Sequence, residues 1–228
     1  MPIREKLHAV RQRLNAACAR AGRDPGDVRI VVVTKTVGVD AINELIALGA
    51  TDIGENRVQD AARKAAAVRR RRPSPTVTLH MIGHLQTNKA AQAVRAFDVI
   101  HSIDSLRAAQ AASRAAEAQG KLMPVLLEVN VSGEESKYGF DPEAAFAAAR
   151  EISALPGIRL DGLMTMAPLG ADEPTIRSVF RGLRELRDRM SSKLGIALPH
   201  LSMGMSQDFE IAVEEGATMV RVGTAIVG

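Results

Sequence analysis

Lys35 stands directly after the apolar run VRIVVVT at 28–34, and it is one of only seven lysines against 23 arginines. An ammonium drawn into a buried run costs desolvation energy and gives up its proton more readily than in water. Such an amine is what a Schiff-base nucleophile requires. A strand-end lysine that reaches solvent or pairs with an acid fits the same position. Ser206, Gly223 and Thr224 suggest a phosphate site. Ser206 is expected to cap a helix over 207–215, whose free N–H groups favour an anion. Gly223 lets backbone approach a ligand closely, and Thr224 offers a hydroxyl. Asp208, in the first turn of that helix, counts against this because it competes for the same positive end. Arg221 lies in an otherwise apolar segment. Its guanidinium needs a carboxylate, a carbonyl or a ligand acceptor, and a structural ion pair is the commoner explanation.

Other residues carry weaker signals. Glu128 and Asn130 alternate with Val129 and Val131, so they are expected on one strand face, in a polar mouth or an internal network. His80 and His84 straddle a strand end and share no helical face. With no HExxH pattern and a single cysteine, Cys18, no metal site is expected. Met164, Met166, Met203 and Met205 gather at two strand ends, as pocket lining or, more often, core. Arg69–Arg72 reads better as a solvated helix end than as a nucleic-acid contact.

These residues need elements to hold them. Strands are expected near Ile30, Ile53, His80–Ile82, Val99–Ile100, Leu126–Val131, Leu160–Met164, Leu201–Met203 and Met219–Val222. Helical periodicity falls between them, over 39–49, 56–72, 87–95, 105–119, 142–155, 173–194 and 207–215. Eight strands alternating with helices predict an α/β fold, a (β/α)₈ barrel of TIM type, in a single domain over 1–228. An open doubly wound sheet is the alternative. The chain stops at Gly228 directly after strand eight, so an extra N-terminal helix over 2–22 is expected to fill the last place around the barrel. The active site of such a barrel lies at the C-terminal ends of its strands. Lys35, Asn56, Ser206, Arg221, Gly223 and Thr224 all fall at such ends.

Composition excludes several classes. Lys and Arg total 30 against 26 Asp and Glu, a net charge of +4, too small for a nucleic-acid-binding surface. Aromatic residues make up 3% of the chain, with no Trp and one Tyr, so base-stacking platforms are not expected. The lone cysteine excludes an intrachain disulfide and suits a reducing cytoplasm. The charged N-terminus has no signal peptide's apolar stretch, and no run could span a membrane.

The strand-end strings VVVTKT (31–36), GENRVQD (54–60), HMIGHLQTNK (80–89), NVSGEESKYGF (130–140), LMTMAP (163–168) and LSMGMSQDFEIAVEEGATMVRVGTAIVG (201–228) resemble those of the pyridoxal phosphate homeostasis protein family. The resemblance extends over nearly the whole chain. It implies a barrel similar to the N-terminal domain of alanine racemase, with pyridoxal 5'-phosphate (PLP) as cofactor. It gives Lys35 the role of Schiff-base lysine and places Asn56 in the cofactor site. Ser206, Gly223 and Thr224 take the phosphate, and Arg221 faces the pyridine nitrogen.

An arginine there disfavours a protonated ring and weakens carbanion stabilisation. Alanine racemase also needs a tyrosine base and a second β domain, whereas this chain has only Tyr138 and a length that suits one barrel. The resemblance therefore implies a non-catalytic PLP carrier that controls the free cofactor or delivers it to PLP-dependent apo-enzymes. It would work in the cytoplasm, as a monomer or weak dimer. The alternatives are a racemase-like PLP enzyme, or a module that binds RNA or a partner through the arginine-rich helix. The sequence departs from the family at Val37, where many relatives carry a basic residue, and at Gly228, where many continue with a charged tail. Lys137, in the loop after strand five with Ser132, is a candidate for assisting cofactor exchange.

Overall fold

The β-branched run after Val28 forms strand β1 (Arg29–Val33) in a computed structural model that describes residues 1–61, 63–64, 77–134 and 137–228. Seven more strands follow: β2 (Asp52–Glu55), β3 (Thr78–Met81), β4 (Val99–Ile103), β5 (Met123–Glu128), β6 (Ile158–Met164), β7 (His200–Ser202) and β8 (Met219–Val222). Their order around the sheet is their order in the chain, and every pairing is parallel. The sheet closes where β8 returns to β1, with Arg29 opposite Met219 and Val32 opposite Val222. Closure leaves no edge strand, so the doubly wound alternative falls away and the fold is the (β/α)₈ barrel.

Between the strands lie helices Val39–Ala47, Ala90–Ala96, Leu106–Glu117, Pro142–Ser153, Glu173–Leu194 and Phe209–Glu214. Residues 58–61 and 63–64 are also helical, while Arg69–Arg72 lies outside the described residues. Helix 106–117 buries Ala108, Ala109, Ala112 and Ala116; helix 142–153 buries Ala145, Ala148 and Ala149. Methyl-sized contacts let these helices lie close against their neighbours, and a core built this way needs few aromatic rings. The longest helix starts at N-cap Asp172, which accepts the Thr175 N–H, and ends at Gly195 with φ 66°.

Several boundaries differ from expectation. Strand β5 ends at Glu128; beyond it Val129 still donates to the Met164 carbonyl at 2.8 Å and makes an isolated bridge to Phe140. The segment 87–95 opens as a 3₁₀ turn, Thr87–Lys89, before helix Ala90–Ala96. After β8 the chain makes one further helical turn, Thr224–Val227. The N-terminal helix Ile3–Arg20 buries Leu7, Val10, Leu14, Ala17 and Cys18. It packs against helices Val39–Ala47, Phe209–Glu214 and Thr224–Val227, so it fills the gap in the outer ring.

At Gly162 on β6, a Cβ would lie 2.0 Å from the carbonyl oxygen of His200 on β7, its register partner. Only glycine lets these two backbones approach so closely. Among the described residues, no helix is long and apolar enough to cross a membrane.

Candidate functional site

Strands β1, β2, β3, β6, β7 and β8 open at their C-terminal ends into one pocket of about 380 Å³. All six residues singled out above line it: Lys35, Asn56, Ser206, Arg221, Gly223 and Thr224. Its apolar wall comes from Val33, Ile82, Met166 and the loop 167–171 after β6. Met205 also lines the pocket, whereas Met164 and Met203 are buried in the core.

Lys35 is exposed. Burial stops at Thr34, so the desolvation expected of Lys35 is absent. A different lysine takes up the buried end of β1. Lys64 Nζ donates to the Thr34 carbonyl at 2.7 Å and to Glu55 Oε1 at 2.7 Å, and the Thr34 hydroxyl donates to the same Glu55 oxygen at 2.5 Å. This network holds the turn that carries Lys35, and sequence reading missed it. The Glu55–Lys64 spacing signals nothing without the helix that brings Lys64 back.

Asn56 follows β2, and its Oδ1 is buried without a hydrogen-bond partner. A buried acceptor left unsatisfied costs free energy and points to a missing ligand or water. Gly83, after β3, explains its placement. A Cβ at 83 would lie 2.4 Å from the Asn56 carbonyl oxygen, so glycine is what lets the β2 and β3 ends converge.

Ser206 does not cap the next helix. That helix begins at Phe209 with Asp208 as N-cap, and Asp208 Oδ1 accepts the Met205 N–H at 2.5 Å. Asp208 therefore closes its own turn and is not in the first turn of the helix. Ser206 Oγ turns toward β8, where it accepts the N–H groups of Gly223 at 3.2 Å and Ala225 at 3.3 Å. Two backbone amides thus converge on one hydroxyl oxygen, that of Ser206, at the pocket wall. The Ala225 amide was not legible in the sequence, because backbone donors carry no residue signature.

Arg221 is 4% exposed, and its partners are neutral rather than an ion pair. Nη1 donates to Ser202 Oγ at 2.7 Å and Nη2 to the Thr165 carbonyl at 2.9 Å. Burial lowers its pKa to about 10, against the opposing charges of Glu128 and Asp208. Burial also raises Glu128, to about 7, helped by Asp104 and opposed by Arg221. Asn130 does not share its surroundings. It organises the next loop, accepting from Ser132 Oγ and Gly133 N–H and donating to the Glu134 carbonyl.

Lys137 donates to the carbonyl of Ala167 at 3.0 Å, which ties the loop after β5 to the pocket wall without lining the pocket itself. Tyr138 stacks on His84 at 4.2 Å between ring centroids, and His84 Nδ1 lies 2.7 Å from Asp104 Oδ2. Lys137, Tyr138, His84 and Asp104 all lie outside the pocket lining.

Residues 6–228 match the family model described as alanine racemase, N-terminal domain. The pyridoxal phosphate homeostasis protein of Aquifex aeolicus is 41% identical over 224 residues, covering 98% of this chain and 96% of that protein. A solved structure of an unknown protein from Bifidobacterium adolescentis superposes with a TM-score of 0.93 at 42% identity, covering 98% and 94% of the two chains. PipY of Synechococcus elongatus, solved with PLP bound, superposes with a TM-score of 0.86 at 35% identity, covering 99% and 100%. Likeness of this degree runs from the first helix to the last strand, and the chain belongs to the pyridoxal phosphate homeostasis protein family.

Proposed function

We propose that this chain binds PLP in the pocket at the barrel mouth and serves PLP homeostasis as a single-domain, non-catalytic carrier in the cytoplasm. The observation that carries this reading is the convergence of a lysine, an unsatisfied asparagine oxygen, a serine met by two backbone amides and a buried arginine on one pocket of about 380 Å³. Relatives named for PLP homeostasis, and PipY with PLP bound, support it.

When bound, PLP supplies an aldehyde and an electron-withdrawing ring; the protein supplies the rest. The exposed Lys35 amine, which lines the pocket, would be the group that holds the aldehyde end of the cofactor. Ser206, Gly223 and Thr224, which line the pocket, would hold the phosphate, with the Gly223 and Ala225 amides that now donate to Ser206 Oγ available to it if that hydroxyl turns aside. Asn56 Oδ1 gains the donor it lacks. Arg221, with no carboxylate among its hydrogen-bond partners in the described residues, would present a cation to the cofactor's ring nitrogen and disfavour its protonation. This favours holding the cofactor over stabilising a carbanion. Tyr138, the only tyrosine, is engaged with His84 away from the pocket lining. Release to PLP-dependent apo-enzymes is the use this design suits.

Protein mixed with PLP should show Schiff-base absorption, and borohydride followed by mass mapping should mark Lys35. Lys35→Ala should lose both; a variant that keeps the absorption overturns the assignment. A racemase-like enzyme is the second reading, although Glu128, raised to about 7 by burial, does not line the pocket. Amino-acid turnover that Lys35→Ala abolishes would establish it.

A further inference from the structure

Arg221 is the end of a hydrogen-bonded chain that crosses the barrel interior. Its Nη1 donates to Ser202 Oγ on β7 at 2.7 Å. That hydroxyl lies 2.8 Å from His101 Nδ1 on β4. His101 Nε2 lies 2.9 Å from His80 Nδ1 on β3, and His80 Nε2 lies 2.9 Å from Asp52 Oδ1 on β2. Strands β4 and β7 are not neighbours in the sheet, so the His101–Ser202 contact spans the barrel lumen. His80, His101 and Ser202 are completely buried. The two ends of the chain reach different cavities: Arg221 lines the candidate site, and Asp52 lines a cleft of about 280 Å³ bordered by Arg11 and Arg29.

The donors in this chain can be assigned from its ends. Arginine only donates, and an ionised carboxylate only accepts. Burial pushes Asp52 up, but hydrogen bonds from His80 and Thr51 outweigh it and leave the carboxyl below its ordinary range. Burial, followed by the charges of His80, Arg221 and His200, holds His101 well below the ordinary histidine range. One assignment with a single proton on each ring satisfies every contact. Arg221 donates to Ser202, Ser202 to His101 Nδ1, His101 Nε2 to His80 Nδ1, and His80 Nε2 to Asp52. Both rings then carry their proton on Nε2, and every donor points away from the pocket.

We propose that His80, His101 and Ser202 are positioning residues for the cofactor, anchored by Asp52, which hold the Arg221 guanidinium in the orientation that meets the ring nitrogen. This rests on the PLP reading above. An arginine at the floor of a pocket has many rotamers; one donor bond to Ser202 and one to the Thr165 carbonyl select a single planar placement. Ser202 can accept from Arg221 and still use its own proton because His101 Nδ1 accepts the hydrogen bond that its hydroxyl donates. His101 is in turn kept in the accepting tautomer by His80 and Asp52.

The test uses the full chain with Ser202→Ala, His101→Phe and His101→Asn, the last placing a side-chain oxygen near the lost Nδ1. Without ligand, nitrogen-15 NMR should give the wild-type Arg221 separate, slowly exchanging Nη–H signals and place both ring protons on Nε2. The Arg221 signals should collapse in Ser202→Ala and His101→Phe and partly return in His101→Asn. With PLP, the first two variants should bind about tenfold more weakly and shift the visible absorption maximum and induced circular dichroism of the bound cofactor. A purely structural role would lower the melting temperature without moving these signatures. Folded Ser202→Ala with wild-type Arg221 signals overturns the proposal, and so do unchanged cofactor spectra. If His101→Phe does not fold, Ser202→Ala decides. If wild-type protein takes up no PLP, the cofactor reading fails, and the proposal, which rests on it, falls as well; the ligand-free NMR then says only whether the chain holds Arg221.

Discussion

Glu128 sits between one cation and one anion, and burial decides which protonation state it prefers. Its pKa is raised from 4.5 to about 7 by burial first and Asp104 second, with Arg221 opposing. The unfolded chain loses this proton first as pH rises. The stabilising contribution of the neutral acid is therefore complete below about pH 4.5 and is lost as pH rises through about 7. Glu128→Gln should remove that dependence. In denaturant titrations, the variant should gain on the parent between pH 5 and pH 8, by up to roughly 3 kcal/mol. Parallel curves for the two proteins would mean that Glu128 titrates normally. At this scale the sequence identified the pocket residues by their strand-end positions and misjudged their surroundings. Lys35 lies one residue beyond the buried run and Ser206 lies two residues before the true cap, distances too short for periodicity to resolve. The His80–His101 contact was invisible because the register of β3 and β4, not sequence spacing, brings the rings together.

Elements hold the site through backbone contacts as much as through side chains. Gly162→Ala should force β6 and β7 apart, since its Cβ would sit 2.0 Å from the His200 carbonyl oxygen. That clash is with backbone, which cannot swing away as a side-chain tip does. The melting temperature should drop steeply, or soluble protein should be lost; a variant as stable as the parent would show that the two strands can separate freely. The eight strands were legible because buried parallel strands read as short apolar runs between turns. Their C-terminal limits were less so. After Glu128 the apolar alternation continues through Val131, yet past the last bond of Val129 to β6 the chain turns into the loop organised by Asn130.

For the whole molecule, the helix Ile3–Arg20 completes the outer ring beside β1 and β8. Leu14 is 3% exposed within that contact. Leu14→Ala should cost about 2–5 kcal/mol, with the melting temperature falling by roughly 2–4 °C per kcal/mol. A loss below 1 kcal/mol would indicate that the helix is an ornament and not a wall. The place of this helix was readable from the count of strands against helices. The order of the barrel carries a consequence in time. Lys35 and Asn56 emerge early in synthesis, while Ser206, Arg221 and Gly223 emerge near its end. At about 5–20 residues per second, on the order of ten seconds or more separate the two halves of the pocket on the ribosome. On the PLP reading proposed above, a nascent chain would hold Lys35 with no phosphate cradle beside it until β8 meets β1. On that reading, capture of the cofactor would be postponed to the last act of folding, and a retained ligand would report that the barrel has closed.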